Sequence, residues 1–405
     1  MSDFSLILES ALTKPDSFFN TIIPELSELT EDKLSVLANV LENGSVIDKQ
    51  LITNLFIEYL KETGVSYLTE KLDVGRPKLF IQSANIIGQL HYIPALGALK
   101  IALDKKYPDL VVAAIKAISL LPTREAVDTL ADFYLKFTDE VMLKKSLRYL
   151  LTRKEELVPL FLEKYASLSA ERQMFILNFF AGAADERTCG LLISELRKFP
   201  TEKGVYCMEG LGGIGTDEAV AALSEQLEKL EWFLRKHLVA ALGASNNANA
   251  VEPLLKCLDD EHVLVRGAAV KSLSMVGNKN PELLISTLKN AEGQLKINLI
   301  RAMGQLKNED FVEPLVEVLN ERDKLFFSID AVGDLGFPQA EFALRRLLKD
   351  DVWFNRLNAL EALEKLNTRD LMTFAQEALE DENDMVRNSA SRIISVLKAK
   401  AAANS

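Results

Sequence analysis

Apolar residues recur down this chain on a beat of about 31 positions: Ile87, Ile118, Tyr149, Phe180, Leu211, Leu242, Leu273, Met303, Val332, Leu363 and Ile394. The steps are 31 six times, then 30, 29, 31 and 31. A single globular core imposes no such clock. A stack of near-identical helical hairpins does, because each unit must present the same face to its neighbour. The clearest unit pairs AVEPLLKCLDD (Ala250–Asp260) with EHVLVRGAAVKSLSMVGN (Glu261–Asn278). Val265, Ala269, Leu273 and Val276 fall at helical spacing and predict one amphipathic second helix. Gly277 and Asn278 predict its stop. Pro253 predicts the first turn of the first helix, where a missing N–H costs little.

The same unit recurs. FVEPLVEVLNERD (Phe311–Asp323) repeats the first helix with Pro314 in the place of Pro253, and EWFLRKHLVAALGAS, VWFNRLNALEALEKLN and DMVRNSASRIISVLKA repeat the second. The predicted organisation is one repeat array over residues 76–398. Residues 1–75 precede it as divergent capping repeats, with LSVLANVL and LITNLFIEYL as helices, and residues 399–405 form a frayed tail.

Composition narrows the function classes. The net charge of -12 resides in residues 1–75 and 246–405, leaving residues 76–245 close to neutral. Such a chain suits a phosphate backbone poorly, so nucleic-acid binding is disfavoured. Three widely spaced cysteines, Cys189, Cys207 and Cys257, do not make a disulfide framework and fit a reducing compartment. The start MSDFSLILESALTKPD lacks a basic segment and a cleavage site, and no apolar run is long enough to span a bilayer. The expected location is cytoplasmic.

Chemical motifs are sparse. GLGGIG at Gly210–Gly215 matches a dinucleotide fingerprint by letter, but it lies in the phase of a second helix, not after a strand. It reads as a helix end or a close helix contact, and as a bend or hinge in the stack. His91, His237 and His262 have no histidine or glutamate partner at metal-site spacing, and the cysteines lack C-x-x-C spacing. Cys207 and Cys257 fall on helical stripes and read as small core residues. No nucleophile elbow, phosphate loop or zinc-protease motif occurs. The expectation is no catalytic residue, no metal and no cofactor.

The string VRGAAVKSLSMVG, with D-x-x-x-x-VR at Asp260 to Arg266 and DENDMVRNSASRII at Asp381 to Ile394, resembles the second helix of short HEAT-like repeats of the kind found in phycobilin lyases. The resemblance covers roughly residues 76–398. The expected fold is therefore an all-α solenoid, a right-handed superhelix of about twelve HEAT-like hairpins. The resemblance also implies an acid–base ladder along the basic column Arg235, Arg266, Lys296, Lys324, Arg356 and Arg387. Its cations would bridge neighbouring repeats through acids such as Asp260, Asp323 and Asp351.

Two features suggest a binding surface. Trp232-Phe233 and Trp353-Phe354 share one phase just before the basic column, as packing at the turn or as exposed anchors. Lys271 lies two positions after the apolar-stripe residue Ala269 and points away from the core. Its equivalents include Asn85, Lys116, Leu147, Asn178, Glu209, Ala240, Arg301, Asp330, Glu361 and Arg392. In HEAT-like stacks this column would run along the concave wall, here polar and of mixed sign. The expected function is a non-catalytic scaffold or adaptor that binds a protein partner there. The alternatives are a bilin or cofactor lyase of the HEAT type and a nucleic-acid binder. The oligomeric state is not specified by any of these features.

Overall fold

The structure is a computed structural model, and it describes residues 3–105, 107–137, 139–198 and 202–403. Every regular element among them is helical. Each of the eleven column residues falls in a separate helix, from Pro77–Gln89 to Asp384–Ala403, and each of those helices follows a first helix in the chain. The fold is an all-α solenoid. The chain forms two compact units, one ending at Phe179 and one beginning at Phe180.

In the first unit the two segments read as helices lie in Glu31–Asn43 and Val46–Leu55. Thr30 caps the former, its side chain accepting from the Lys33 N–H, and Ser45 with Asp48 closes a capping box on the latter. That second helix passes through a π turn, Phe56–Leu60, into Lys61–Glu70. The unit's aromatic core sets Phe161 edge-on to Phe179 at 4.9 Å, with Tyr134 beside both. The buried Tyr134 hydroxyl donates to the Phe175 carbonyl at 2.9 Å, as a buried polar tip must.

The second unit is the more regular. Leu211, Leu242, Leu273, Met303, Val332 and Leu363 are completely buried. The clearest hairpin pairs Val251–Cys257 with Val263–Val276, shorter at both ends than the pattern predicts because a 3₁₀ turn, Ala248–Ala250, leads into the first helix. Pro253 stands third in its helix and Pro314 third in Val312–Val318, where no intrahelical N–H is lost.

Two column residues depart from the beat. In Glu140–Leu150 the fully buried position belongs to Leu150. Tyr149 is half-exposed under the Arg148 guanidinium, 4.6 Å from its ring centroid. A 3₁₀ turn, Leu151–Arg153, follows at once, and the register slips by one residue. In Asp384–Ala403 Ile393 is completely buried and Ile394 is half-exposed. That helix runs unbroken to Ala403, past the point where fraying is expected, because its KAKAAA end is rich in the strongest helix former. Residues 404–405 of the expected tail lie outside the described residues.

The helix stop is a conformational signature. Four positions after the column residue, His91, Ala184, Gly215, Asn246, Lys307, Gly336 and Asn367 all have φ between 45° and 80°. One left-handed residue ends the helix and turns the chain into the next hairpin. Gly277 stands at the same position with φ -58, so it is not there for its backbone freedom. A Cβ at Gly277 would lie 2.7 Å from Leu306 Cδ1.

Within each unit successive second helices pack along their lengths, while successive first helices meet at few points. Small residues permit this. A Cβ at Gly212 would lie 2.9 Å from the Ala241 Cα, one at Gly304 2.7 Å from the Ala331 Cα, and one at Gly333 2.9 Å from the Ala362 Cα. Gly212 belongs to GLGGIG, which lies within and at the end of one continuous helix, Glu202–Ile214. A stack bends toward its more closely spaced row, so the second helices form the inner row of each unit.

Candidate functional site

The column through Lys271 and both tryptophans lie on second helices; Asn85, Lys116, Leu147 and Asn178 belong to the unit ending at Phe179 and the others to the unit beginning at Phe180. Asn178 is half-buried on Ala170–Ala183.

At the N-terminal ends of these helices the basic column splits into two kinds of contact. Arg235 donates to both carboxylate oxygens of Asp260 at 2.9 and 3.0 Å, and Arg356 makes the same fork on Asp381 at 2.7 and 2.8 Å. Lys296 reaches Glu321 at 2.7 Å. Each acid belongs to the following repeat and stands 25 residues on. Planar forks of this kind are the strong form of the contact. The Arg356 hydrogen bonds hold the Asp381 carboxyl below its ordinary range.

Arg266, Lys324 and Arg387 stay within their own repeat. Arg266 donates to the Asp260 and Glu261 carbonyls, Lys324 pairs with its neighbour Asp323, and Arg387 takes the Asp381 carbonyl and Asp384. Twenty-five residues beyond Arg266 is Ala291, and beyond Lys324 is Lys349, so neither finds an acid in the next repeat. Asp351 contributes its backbone carbonyl to Arg356.

The two aromatic pairs sit on the same rim. Trp232 is 37% exposed and lies flat on the His262 ring, centroids 3.9 Å apart. His262 Nδ1 accepts the Leu264 N–H and caps that helix. Phe233 is 50% exposed, and Val263 and Leu264 on the next helix are also open. Trp353 is 38% exposed beside Phe354, which stacks on Phe326 with centroids 5.1 Å apart. Trp232 therefore has one face packed, Trp353 meets Phe354 edge-on with centroids 5.5 Å apart, and each keeps a share of its ring in water. The sequence pattern does not single out Phe326, Leu264 or Val263.

The column through Lys271 is solvent-facing throughout the second unit, but its charges differ in kind. Lys365 binds Asp330 and Asp334, each at 2.7 Å. Arg392 forks onto Glu364 at 2.9 and 2.7 Å, and Glu361 accepts from Ser389. These charges are already paired on the face, with the acids in excess, since Lys365 is shared by two aspartates and Arg392 faces Glu361 as well as Glu364. Glu209, Lys271 and Arg301 make no ion pair among the described residues.

No cluster of metal-ligating side chains occurs among the described residues. The three cysteines are buried thiols, and burial pushes Cys207 and Cys257 up to about 12, which leaves them unreactive. No helix among the described residues is long and apolar enough to cross a membrane.

The sequence matches the HEAT repeat family over residues 191–274. No curated protein matches it. Among solved structures, that of Kap121p is similar over 97% of this chain and 57% of that chain, at 14% identity and a TM-score of 0.51. Kap121p bound to Nup53p and the karyopherin Kap121p bound to the SUMO protease Ulp1p are similar at 13% identity and a TM-score of 0.52, each covering 97% of this chain and 56% of that chain. The chain thus spans little more than half the length of these structures. By its matched repeats and its fold, this chain is a HEAT-like repeat protein.

Proposed function

We propose that this protein is a non-catalytic scaffold or adaptor whose second helices, in the unit beginning at Phe180, bind a segment of a protein partner. The carrying observation is the company of half-open aromatics and unpaired charges on one continuous row. Trp232, Phe233, Trp353 and Phe354 line its rim, and Lys271 and Arg301 project from its middle. Aromatic and arginine side chains are the groups that dominate interface energetics. The similar Kap121p structures with bound Nup53p and Ulp1p support the reading, since they are protein complexes of the same kind of fold.

The test is affinity capture from native extract, followed by cross-linking of the recovered complex. Wild type is compared with two variants of exposed residues, Lys271→Glu with Arg301→Glu, and Trp232→Ala with Trp353→Ala. A partner cross-linked to the second helices, and weakened by either variant, supports the proposal. A partner held at the first helices, unaffected by both variants, refutes the placement. Recovery of no protein refutes the adaptor reading.

A further inference from the structure

In a chain of net charge -12, three consecutive second helices contain no acid at all. They are Trp232–Ala244, Val263–Val276 and Gly293–Gly304. The second helices on either side do carry acids, Glu209 before them and Asp330 and Asp334 after. The six Lys and Arg residues of the three helices divide evenly. Arg235, Lys296 and Arg266 are held by carboxylates or carbonyls at the rim. Lys236, Lys271 and Arg301 make no ion pair among the described residues. Lys271 and Arg301 occupy the same position on adjacent helices, which places them about 9–10 Å apart. Lys236 sits one turn nearer the rim than Ala240, their equivalent on the preceding helix. Beside these cations the face opens apolar side chains, Leu264 51% and Met275 57% exposed, among polar ones such as Gln294 and Gln305.

We infer that these three helices bind an acidic protein segment in extended form, with carboxylates about three residues apart and apolar side chains between them. This rests on the proposed function and specifies its partner. The spacing follows from the strand rise of about 3.3 Å per residue, which carries a chain from one helix to the next in about three residues. The sign follows from the helices, which offer cations and no carboxylate. Along the helices themselves a basic segment would find no carboxylate between Glu209 and Asp330, the nearest acids, Glu231, Glu261 and Glu292, standing at the rim. A nucleic acid fits less well. Its charge, one per about 1.7 Å of duplex, would meet three cations and then the flanking acids, and it brings no aliphatic groups to Leu264 and Met275.

The test is fluorescence anisotropy of labelled peptides on the full chain. The probes are a peptide repeating Asp-Phe-Ala, its counterpart repeating Lys-Phe-Ala, and a labelled DNA duplex. The acidic peptide binds wild type, at least about tenfold tighter than the basic one, and weakens as salt screens the contact. Reversal by Lys271→Glu with Arg301→Glu loses at least about tenfold of that affinity and gains the basic peptide. The inference is overturned if the acidic peptide fails to bind, binds both proteins equally, or binds less tightly than the basic peptide or the DNA. A cross-linked partner on this face, recovered alongside such a result, would leave the adaptor reading standing and remove only the acidic partner.

Discussion

Replacing Gly212 by alanine and Gly267 by alanine is the same chemical change in two helices of one unit, and the structure gives the two opposite signs. Gly267 lies inside Val263–Val276 with nothing within 4 Å of an added Cβ. There only helix propensity acts, and Gly267→Ala stabilises by about 0.5–1 kcal/mol. At Gly212 the added Cβ would sit 2.6 Å from the Ala241 carbonyl oxygen, 2.9 Å from its Cα and 3.0 Å from its Cβ. Carbon atoms pack at about 3.5–4.0 Å, so the two helices must part by roughly half an ångström or more. The clashing atoms are backbone and Cβ, which cannot rotate away. Overpacking of this kind costs about 1–3 kcal/mol. It offsets the propensity gain of up to about 1 kcal/mol, and Gly212→Ala is expected to destabilise by about 1–2 kcal/mol.

The assay is urea unfolding followed by the fluorescence of Trp232 in a Trp353→Phe background. Trp232 and Ala241 share the helix Trp232–Ala244, so the reporter sits on the element that must move. Contacts in a solenoid are with nearest neighbours, and a local reporter therefore reads the affected interface. The midpoint should fall for Gly212→Ala and rise for Gly267→Ala at unchanged slope. A rise for both would refute the close approach, and with it the reason for placing the second helices on the inner row.

Three further outcomes follow from the same geometry. Arg356→Ala strands the largely buried Asp381 carboxylate and should cost about 3 kcal/mol, whereas Arg124→Ala, at an exposed pair, should cost under about 0.5 kcal/mol in the same urea assay. Asp381 is held below its ordinary range by Arg356, so its contribution is fully present above about pH 4 and is lost as pH falls through its lowered folded value. Acid titration of stability should be shallower for Asp381→Asn than for wild type, and equal slopes would count against the pair. Ala184 has φ 45 at a helix stop, so Ala184→Gly should stabilise by about 0.5–1 kcal/mol, read as a higher urea midpoint, and a fall would refute the strain.

The architecture was legible because a stack repeats its burial requirement with its period. Ile87, Ile118, Phe180 and the run from Leu211 to Leu363 are all completely buried, as the beat requires. Tyr149 and Ile394 escaped it by one residue, since Leu150 and Ile393 are as apolar as their neighbours and hydropathy cannot choose between them. The alternation in the basic column was also written in the chain. Asp260, Glu321 and Asp381 stand 25 residues beyond Arg235, Lys296 and Arg356, while Ala291 and Lys349 stand beyond Arg266 and Lys324. A ladder of one repeated contact does not capture it, because each rung requires an acid 25 residues beyond its cation.

The charge of the candidate face is a different kind of problem. By residue type the column through Lys271 is a mixture of signs, and a mixture suggests a partner of mixed sign. In the folded chain Asp330 is answered by Lys365, 35 residues on, and Glu364 by Arg392, 28 residues on. Neither distance equals the beat, because long side chains reach diagonally across neighbouring helices. Asp334 with Lys365 keeps the 31-residue beat, and the other two pairs cannot be read from equivalent positions. What a partner meets is the charge left after these pairings, and on the three acid-free helices that remainder is Lys236, Lys271 and Arg301. Recognition by such a face depends on which cations the fold has left unpaired, so removing Lys365 should alter binding through the acids it releases as well as through its own charge.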